Sequence, residues 1–240
     1  MEKLEMLYEG KAKRIYRTSD ESTVWISYKD SATAFNGEKK AVIEGKGRLN
    51  NEISSLLFEM LAAEGIPSHF VTRLSETDQL VKKVSIVPIE VVVRNIAAGT
   101  LAKRLGLTEG EILPQTIVEF YYKNDELGDP LINDDHIAIL NLATPDQLTE
   151  MREKALRVND VLTSYFASKN VKLVDFKLEY GTDEKGQLLL ADEISPDTCR
   201  LWDSETNEKL DKDVFRRDLG NLAAAYEKIL ERLGGVPCTK

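Results

Sequence analysis

The chain has 240 residues, 42% hydrophobic and 30% charged, with 41 acidic against 32 basic side chains and a formal net charge of −9. Such a chain buries a globular core without staples, as one bipartite domain or two small ones, and is neither fibrous nor disordered. The acidic balance disfavours nucleic acid and anionic membranes as partners, and no apolar run approaches the ~20 residues that cross a bilayer.

The opening Met1-Glu2-Lys3-Leu4-Glu5 lacks the basic-then-apolar pattern of a secretory signal, so the expected compartment is the cytoplasm. Cys199 and Cys238 form no Cys-x-x-Cys pair, which disfavours a disulfide framework or a thiolate zinc site. His69 and His136 stand in no metal-ligand or triad-like setting, so structural roles are expected for both.

In chain order, Leu4–Arg17 and Ser22–Tyr28 read as strands around the turn Thr18-Ser19-Asp20-Glu21, with Gly10 in mid-strand. Ser31–Gly47, carrying Gly37, Gly45 and Gly47, reads as a mobile loop. A helix is predicted over Arg48–Glu64, with Leu49, Ile53, Leu56, Leu57, Met60 and Leu61 on one face and Gly65 and Pro67 beyond its end. Strands follow at His69–Leu74, Gln79–Val84 and Ile89–Arg94. Gly99-Thr100 opens a short helix through Lys103, and Tyr122–His136 reads as an acidic loop. The clearest helix is Asp146–Ser168, where Thr144 caps, Pro145 suits the first helical position and Gln147 completes a capping box. A β-hairpin over Lys172–Ile194 precedes a helix over Asp213–Leu233, stopped by Gly234-Gly235-Val236-Pro237.

This order predicts an α+β fold in two lobes: an antiparallel N-terminal sheet (residues 1–86) and a larger α/β C-terminal lobe (87–240). Pro88, interrupting an apolar run, suggests the boundary.

The hairpin carries the most chemistry. Along Leu173-Val174-Asp175-Phe176-Lys177-Leu178-Glu179-Tyr180-Gly181, alternation puts Asp175, Lys177 and Glu179 on one face and the apolar side chains on the other. The return run Leu188-Leu189-Leu190-Ala191 is apolar enough to be buried on both faces, so the carboxylates that follow are costly there unless they bind something. An even-numbered connecting loop brings Asp192 onto the face of Lys177 and Glu179; an odd one brings Glu193. Two carboxylates beside an ammonium suit magnesium on a nucleotide. A solvated strand with cross-strand ion pairs is the plainer alternative.

Lys11 and Lys13 flank Gly10 on one strand face and can meet a polyphosphate, although a solvated basic edge explains them equally well. The chain has no Walker A motif. Arg94 ends an apolar strand just before Thr100, so a phosphomonoester fits between them; alternatively Arg94 pairs with Glu90 and Thr100 merely caps its helix. Ser195-Pro196-Asp197-Thr198-Cys199-Arg200 returns another arginine behind the hairpin.

Ile89-Glu90-Val91-Val92-Val93-Arg94-Asn95 through Gly99-Thr100, together with Leu173–Gly181, resembles the two motifs of the SAICAR synthetase family. The similarity extends through Tyr8–Ile15, Asn36-Gly37 to Lys46-Gly47, Lys123-Asn124-Asp125, Asp192–Asp203 and Phe215–Tyr226. It implies an ATP-dependent ligase of de novo purine biosynthesis. ATP, L-aspartate and carboxyaminoimidazole ribotide (CAIR) would give the succinocarboxamide SAICAR, ADP and phosphate through an acyl phosphate. It also implies a two-lobed fold related to kinase and ATP-grasp architectures, usually a homodimer.

Carried over by position, Gly10, Lys11, Lys13, Lys82 and Lys123 would bind ATP. Glu179 and Asp192 would hold Mg2+, and Arg94, Thr100, Asp197 and Arg200 the ribotide. Asp175 and Lys177 would be the catalytic residues bordering the transferred phosphoryl group. Ser31–Gly47 would help bind aspartate. Threonine at position 100 replaces the family's usual serine and keeps its hydroxyl. A kinase-like phosphotransferase is the main competing class, but His-Arg-Asp, Asp-Phe-Gly and Ala-Pro-Glu elements are missing. A nucleotide-binding module without turnover is the other, and both metal carboxylates argue against it.

Overall fold

The computed structural model describes residues 1–235, apart from the side chain of Asn36, so Val236, Pro237 and Cys238 lie outside the described residues. The first predicted strand is a hairpin: β1 (Lys3–Glu9) and β2 (Lys13–Thr18) pair antiparallel. Gly10 N–H donates to the Lys13 carbonyl at 2.8 Å, so Gly10 lies in the turn and not in mid-strand. Gly10-Lys11-Ala12 lacks the paired turn residues that announce a two-residue hairpin, which is why alternation alone ran through it.

β3 (Thr23–Tyr28) follows. The next segment, read as a loop, is a ribbon of β4 (Ser31–Ala34) and β5 (Lys39–Val42). Its short alternation buries Ala32 and Ala34, and Lys39 ties it down by donating to the Phe215 carbonyl at 2.7 Å and to Asp218 at 2.6 Å.

α1 (Lys46–Ala63) buries the expected stripe, including Leu49, Ile53, Leu57 and Leu61. Its first turn lies against β3 so closely that a Cβ on Gly47 would sit 3.0 Å from the Tyr28 carbonyl oxygen. β6 (Phe70–Arg73) and β7 (Asp78–Lys82) complete a five-stranded sheet in the order β1-β2-β3-β7-β6.

β8 (Ser85–Ile96) begins the second sheet and runs unbroken through Pro88. The β8–β11 register shifts between Glu179 and Gly181, opposite this proline, and the Pro88 carbonyl accepts from Lys123 N–H at 3.1 Å. A bulge accommodates the missing N–H, so the proline does not interrupt the apolar run as its sequence suggested.

After α2 (Gly99–Leu105) comes β9 (Ile112–Tyr122), absent from the sequence reading because its exposed, mixed residues show no clean alternation. The supposed acidic loop contains β10 (Leu131–Ile132) and opens into α3 (Asp134–Ile139), where Asn133 and His136 form a reciprocal cap. α4 (Pro145–Ala167) carries the expected Thr144–Gln147 capping box and buries Leu148, Met151, Ala155, Val158, Leu162 and Phe166.

β11 (Val171–Thr182) is the spine of the second sheet. It pairs antiparallel with β8 on one side and with β12 (Leu188–Ala191) and β13 (Cys199–Asp203), the latter also unpredicted, on the other. The predicted final helix is two, α5 (Asp213–Arg216) and α6 (Leu222–Arg232). Asp218 at φ 54° and Gly220 at φ 148° break it, and Asn221 recaps α6 by accepting from Ala224 N–H at 3.1 Å.

The main core runs from α1 through β8 and β11 to α4 and α6, uniting Ile53, Val91, Met151, Phe176 and Ile229. Each such side chain contributes roughly 1.5–3 kcal/mol by leaving water. That core fixes β8 and β11, and with them every charge those strands carry.

Candidate active site

The two sheets face a cavity of about 830 Å³, and all thirteen residues singled out from the sequence for catalysis or binding line it. Lys82, at the exposed end of β7, stands at its rim, and Lys11 nearby donates to Asp125 at 2.8 Å. The deeper charges fall into three groups.

The first gathers on β11 and the end of β12. Lys177 Nζ donates to Glu179 at 2.6 Å and to Glu90 at 3.0 Å, and Lys123 donates to Glu179 at 2.7 Å. Thr182 pairs with Leu188 and Glu179 with Ala191, so the loop is odd-numbered. A regular pleat would therefore aim Glu193, and not Asp192, at the site. Asp192 instead adopts φ 60°, which breaks the pleat. Both carboxylates then meet Lys13: Asp192 at 2.5 Å and Glu193 at 3.0 Å, with Asp192 also 3.7 Å from Lys177.

Burial alone would lower the Lys13 ammonium, but Asp192 and Glu193 hold it well above the usual lysine range. Lys177 is likewise held up by Glu179 and Asp192 against its burial. Asp192, whose burial would raise it, is held well below the usual carboxylate range by Lys13 and Lys177. His69, buried beneath, is pushed down to about 4, so it is neutral and its Nε2–H donates to the Asp192 carbonyl at 3.2 Å.

Glu179 and Asp192 thus converge on one ammonium from two sides. An all-oxygen pair of this kind fits magnesium, which takes one or two protein carboxylates and completes its shell with water and phosphate. Among the described residues no three acidic, histidine or cysteine side chains are placed to hold a metal ion together.

The second group surrounds Asp175. Its Oδ2 accepts from Arg94 at 2.9 Å and from Arg200 at 2.8 Å. Arg94 also donates to Glu119 at 2.7 Å, to Tyr121 at 3.0 Å and to the Thr100 hydroxyl at 3.3 Å. Glu90 therefore pairs with Lys177, not Arg94, and α2 has no side-chain cap, so Thr100 is not spent on one. Arg200 Nε donates to Asp213 at 3.0 Å. Gly99, at φ 52°, lets the Arg200 guanidinium lie directly over the backbone, in space a Cβ would occupy.

The third group gives Asp197, singled out from the sequence, two partners that the sequence did not reveal. Lys46, fully buried at the first turn of α1, donates to Asp197 at 2.6 Å, and Tyr226 of α6 donates to the other Asp197 oxygen at 2.6 Å. A cation at a helix N-terminus opposes the helix dipole, and burying it adds desolvation, so Asp197 must hold it there. Burial would raise Asp197, but Lys212 and Lys46 keep it well below its ordinary range. Asp197 N–H donates to Ser195 Oγ at 3.1 Å, and Ser195 donates to Glu193 at 2.6 Å, which links this group to Lys13. Lys46 stands two residues before the predicted helix, and its place in the Asn36–Gly47 similarity was the signal available for it.

A cleft that sets ammonium groups against a carboxylate pair at one end and arginines at the other has the chemistry of a site for phosphate esters. The family model for SAICAR synthetase matches residues 6–233. A phosphoribosylaminoimidazole-succinocarboxamide synthase of Bacillus cytotoxicus is 68% identical over 235 residues, covering 98% of each chain. One from Bacillus cereus is 66% identical over 236 residues, covering 98% of this chain and 99% of that one. Among solved structures, the synthase of Ehrlichia chaffeensis superposes with a TM-score of 0.95 at 47% identity, over 98% of this chain and all of the other. A type-2 SAICAR synthetase solved in complex with ADP gives 0.94 at 49% identity, with the same coverage. The chain belongs to the SAICAR synthetase family.

Proposed function

We propose that this chain joins the amine of L-aspartate to the carboxylate of CAIR at the expense of ATP, giving SAICAR, ADP and phosphate in purine biosynthesis. Family membership over almost the whole chain supports the reaction. The observation that carries the residue roles is the convergence of Glu179, Asp192, Lys13 and Lys177 in the same cavity as the Arg94–Asp175–Arg200 cluster.

A carboxylate does not accept an amine in water, because its leaving group would be oxide. In the first step a carboxylate oxygen of the ribotide attacks the γ-phosphorus and ADP leaves. The aspartate amine then attacks the acyl carbon, phosphate leaves with the C–O bond pair, and the amine loses a proton. Positioning and charge neutralisation are most of what the protein must supply.

Residues 1–86 form the nucleotide lobe in this scheme and 87–240 the lobe of the ribotide. Gly10, Lys11, Lys13, Lys82 and Lys123 face the ATP phosphates. Glu179 and Asp192 would hold Mg2+, which when bound withdraws charge from the β- and γ-oxygens. Lys177 sits where it can follow the transferred phosphoryl group. Asp175 orients Arg94 and Arg200, which with Thr100 and Asp197 receive the ribotide. A homodimer working in the cytoplasm completes the proposal, and the size of the protein in solution tests the first part.

The deciding experiment measures ADP release while each of ATP, ribotide and aspartate is omitted in turn. Release that requires all three, with an amide product, is expected. ADP release that continues without aspartate and leaves a phosphorylated hydroxyl would overturn the ligase in favour of a kinase-like transferase.

A further inference from the structure

Lys11, Lys13, Lys123, Lys177, Arg94 and Arg200 each hydrogen-bond a carboxylate in the cleft. Away from the exposed rim, two further cavity cations have donors to spare. Lys212 precedes α5 and Arg216 ends it, four residues apart, so their side chains leave the same helical face.

Lys212 Nζ has no hydrogen bond among the described residues. Its nearest carboxylate, Asp197, is 3.8 Å away although the lysine side chain is only 14% exposed. Arg216 uses Nη1 on Asp213 at 2.7 Å, and its Nε and Nη2 have no partner among the described residues. Two like charges one turn apart repel, and a buried ammonium without a hydrogen bond is costly, so the arrangement is built for an arriving anion. Burial lowers the Lys212 ammonium, and Lys46 and Arg216 act in the same direction against Asp197, a penalty that a bound carboxylate would relieve.

The nucleotide phosphates have Lys13, Lys123 and Lys177, and the ribotide phosphate has Arg94, Thr100 and Arg200. The remaining substrate carries two carboxylates and an ammonium. Resting on the ligase reading above, we infer that Lys212 and Arg216 seat the carboxylates of the incoming amino acid and set the preference for a dicarboxylate. Asp197 borders the same corner. Its oxygens already accept from Lys46 and Tyr226, and a carboxylate has lone pairs left for a substrate ammonium. Thr33 and Ala34 of β4, which packs against α5, and Phe35 beyond them line the same cavity.

The test uses the full chain with Lys212→Gln and Arg216→Gln, assayed for ADP release with each substrate varied. Each variant should raise the KM for aspartate at least about tenfold, the loss of one charge-assisted bond, while the ribotide and ATP constants stay within about twofold. The preference for aspartate over asparagine should fall by a similar factor, and Lys212→Arg should recover part of it. Arg216 is half-buried on a short helix, so its variant reports even if Lys212→Gln misfolds. A rise confined to the ribotide constant, or unchanged aspartate constants in both variants, would overturn the assignment. ADP release by the unaltered chain that is independent of aspartate would instead overturn the ligase reading beneath it.

Discussion

Replacing Asp192 by asparagine separates chemistry from stability, because the structure bounds both effects. In the native chain Asp192 accepts from Lys13 at 2.5 Å and lies 3.7 Å from Lys177. Losing its charge orphans neither lysine, since Lys13 keeps Glu193 at 3.0 Å and Lys177 keeps Glu179 at 2.6 Å. Asparagine also tolerates the φ of 60° at this position. The folding cost is therefore about one charge-assisted hydrogen bond, ~1.5–3 kcal/mol, partly offset because a neutral amide is cheaper to desolvate. For a chain of this length that lowers Tm by roughly 3–12 °C before the offset.

Catalysis should lose far more. Removing one preorganised group that stabilises charge in the transition state costs ~10²–10³ in kcat, or roughly 2.7–4 kcal/mol. The assay is ADP release by the full chain at saturating ATP, ribotide and aspartate across a magnesium titration, beside a thermal scan. The half-saturating magnesium concentration should rise along with the loss of kcat. A kcat within about threefold of the native value throughout that titration refutes the role given to Asp192.

Three further outcomes are expected. Gly99→Ala places a Cβ in the space of the Arg200 guanidinium, at a φ of 52° that alanine adopts at a cost of ~1–2 kcal/mol. Its KM for the ribotide should rise about tenfold, and an unchanged constant would mean Arg200 does not meet that substrate. Lys46→Met leaves Asp197 buried with Tyr226 and a lysine 3.8 Å away, so unfolding by denaturant should show a loss of ~3–5 kcal/mol. A loss below about 1 kcal/mol would show the pair to be dispensable.

The third concerns pH. Burial, and then Asp213, push the Asp211 carboxyl up to about 7 from its ordinary 3.8. The folded state therefore holds this proton more tightly than the unfolded chain. The resulting stabilisation is complete below about pH 4 and is lost as pH rises through 7, roughly 4 kcal/mol at most. Asp211→Asn cannot titrate, so its Tm relative to the native chain should climb between pH 4 and 7 and then level off. A difference that does not vary with pH would remove Asp211 from the titration.

Local chemistry determined the parts of this protein that the sequence could announce. Helix α4 follows from a stripe at 3.6-residue spacing and a Thr144–Gln147 cap, and the ionic face of β11 follows from strict alternation, because neighbours along the chain decide both. The family motifs lie on these same strongly patterned segments. Tertiary structure decided what depends on distant partners. β9 and β13 exist because β8 and β11 need neighbours, not because their own residues alternate. Lys46 finds Asp197 across 151 residues, and no local pattern encodes that meeting. The Asp192 backbone leaves the pleat so that two successive carboxylates reach Lys13, a lysine contributed by the other sheet. Periodicity says which way a side chain points within its own element; only the packing of the two sheets across the cleft says what it meets there.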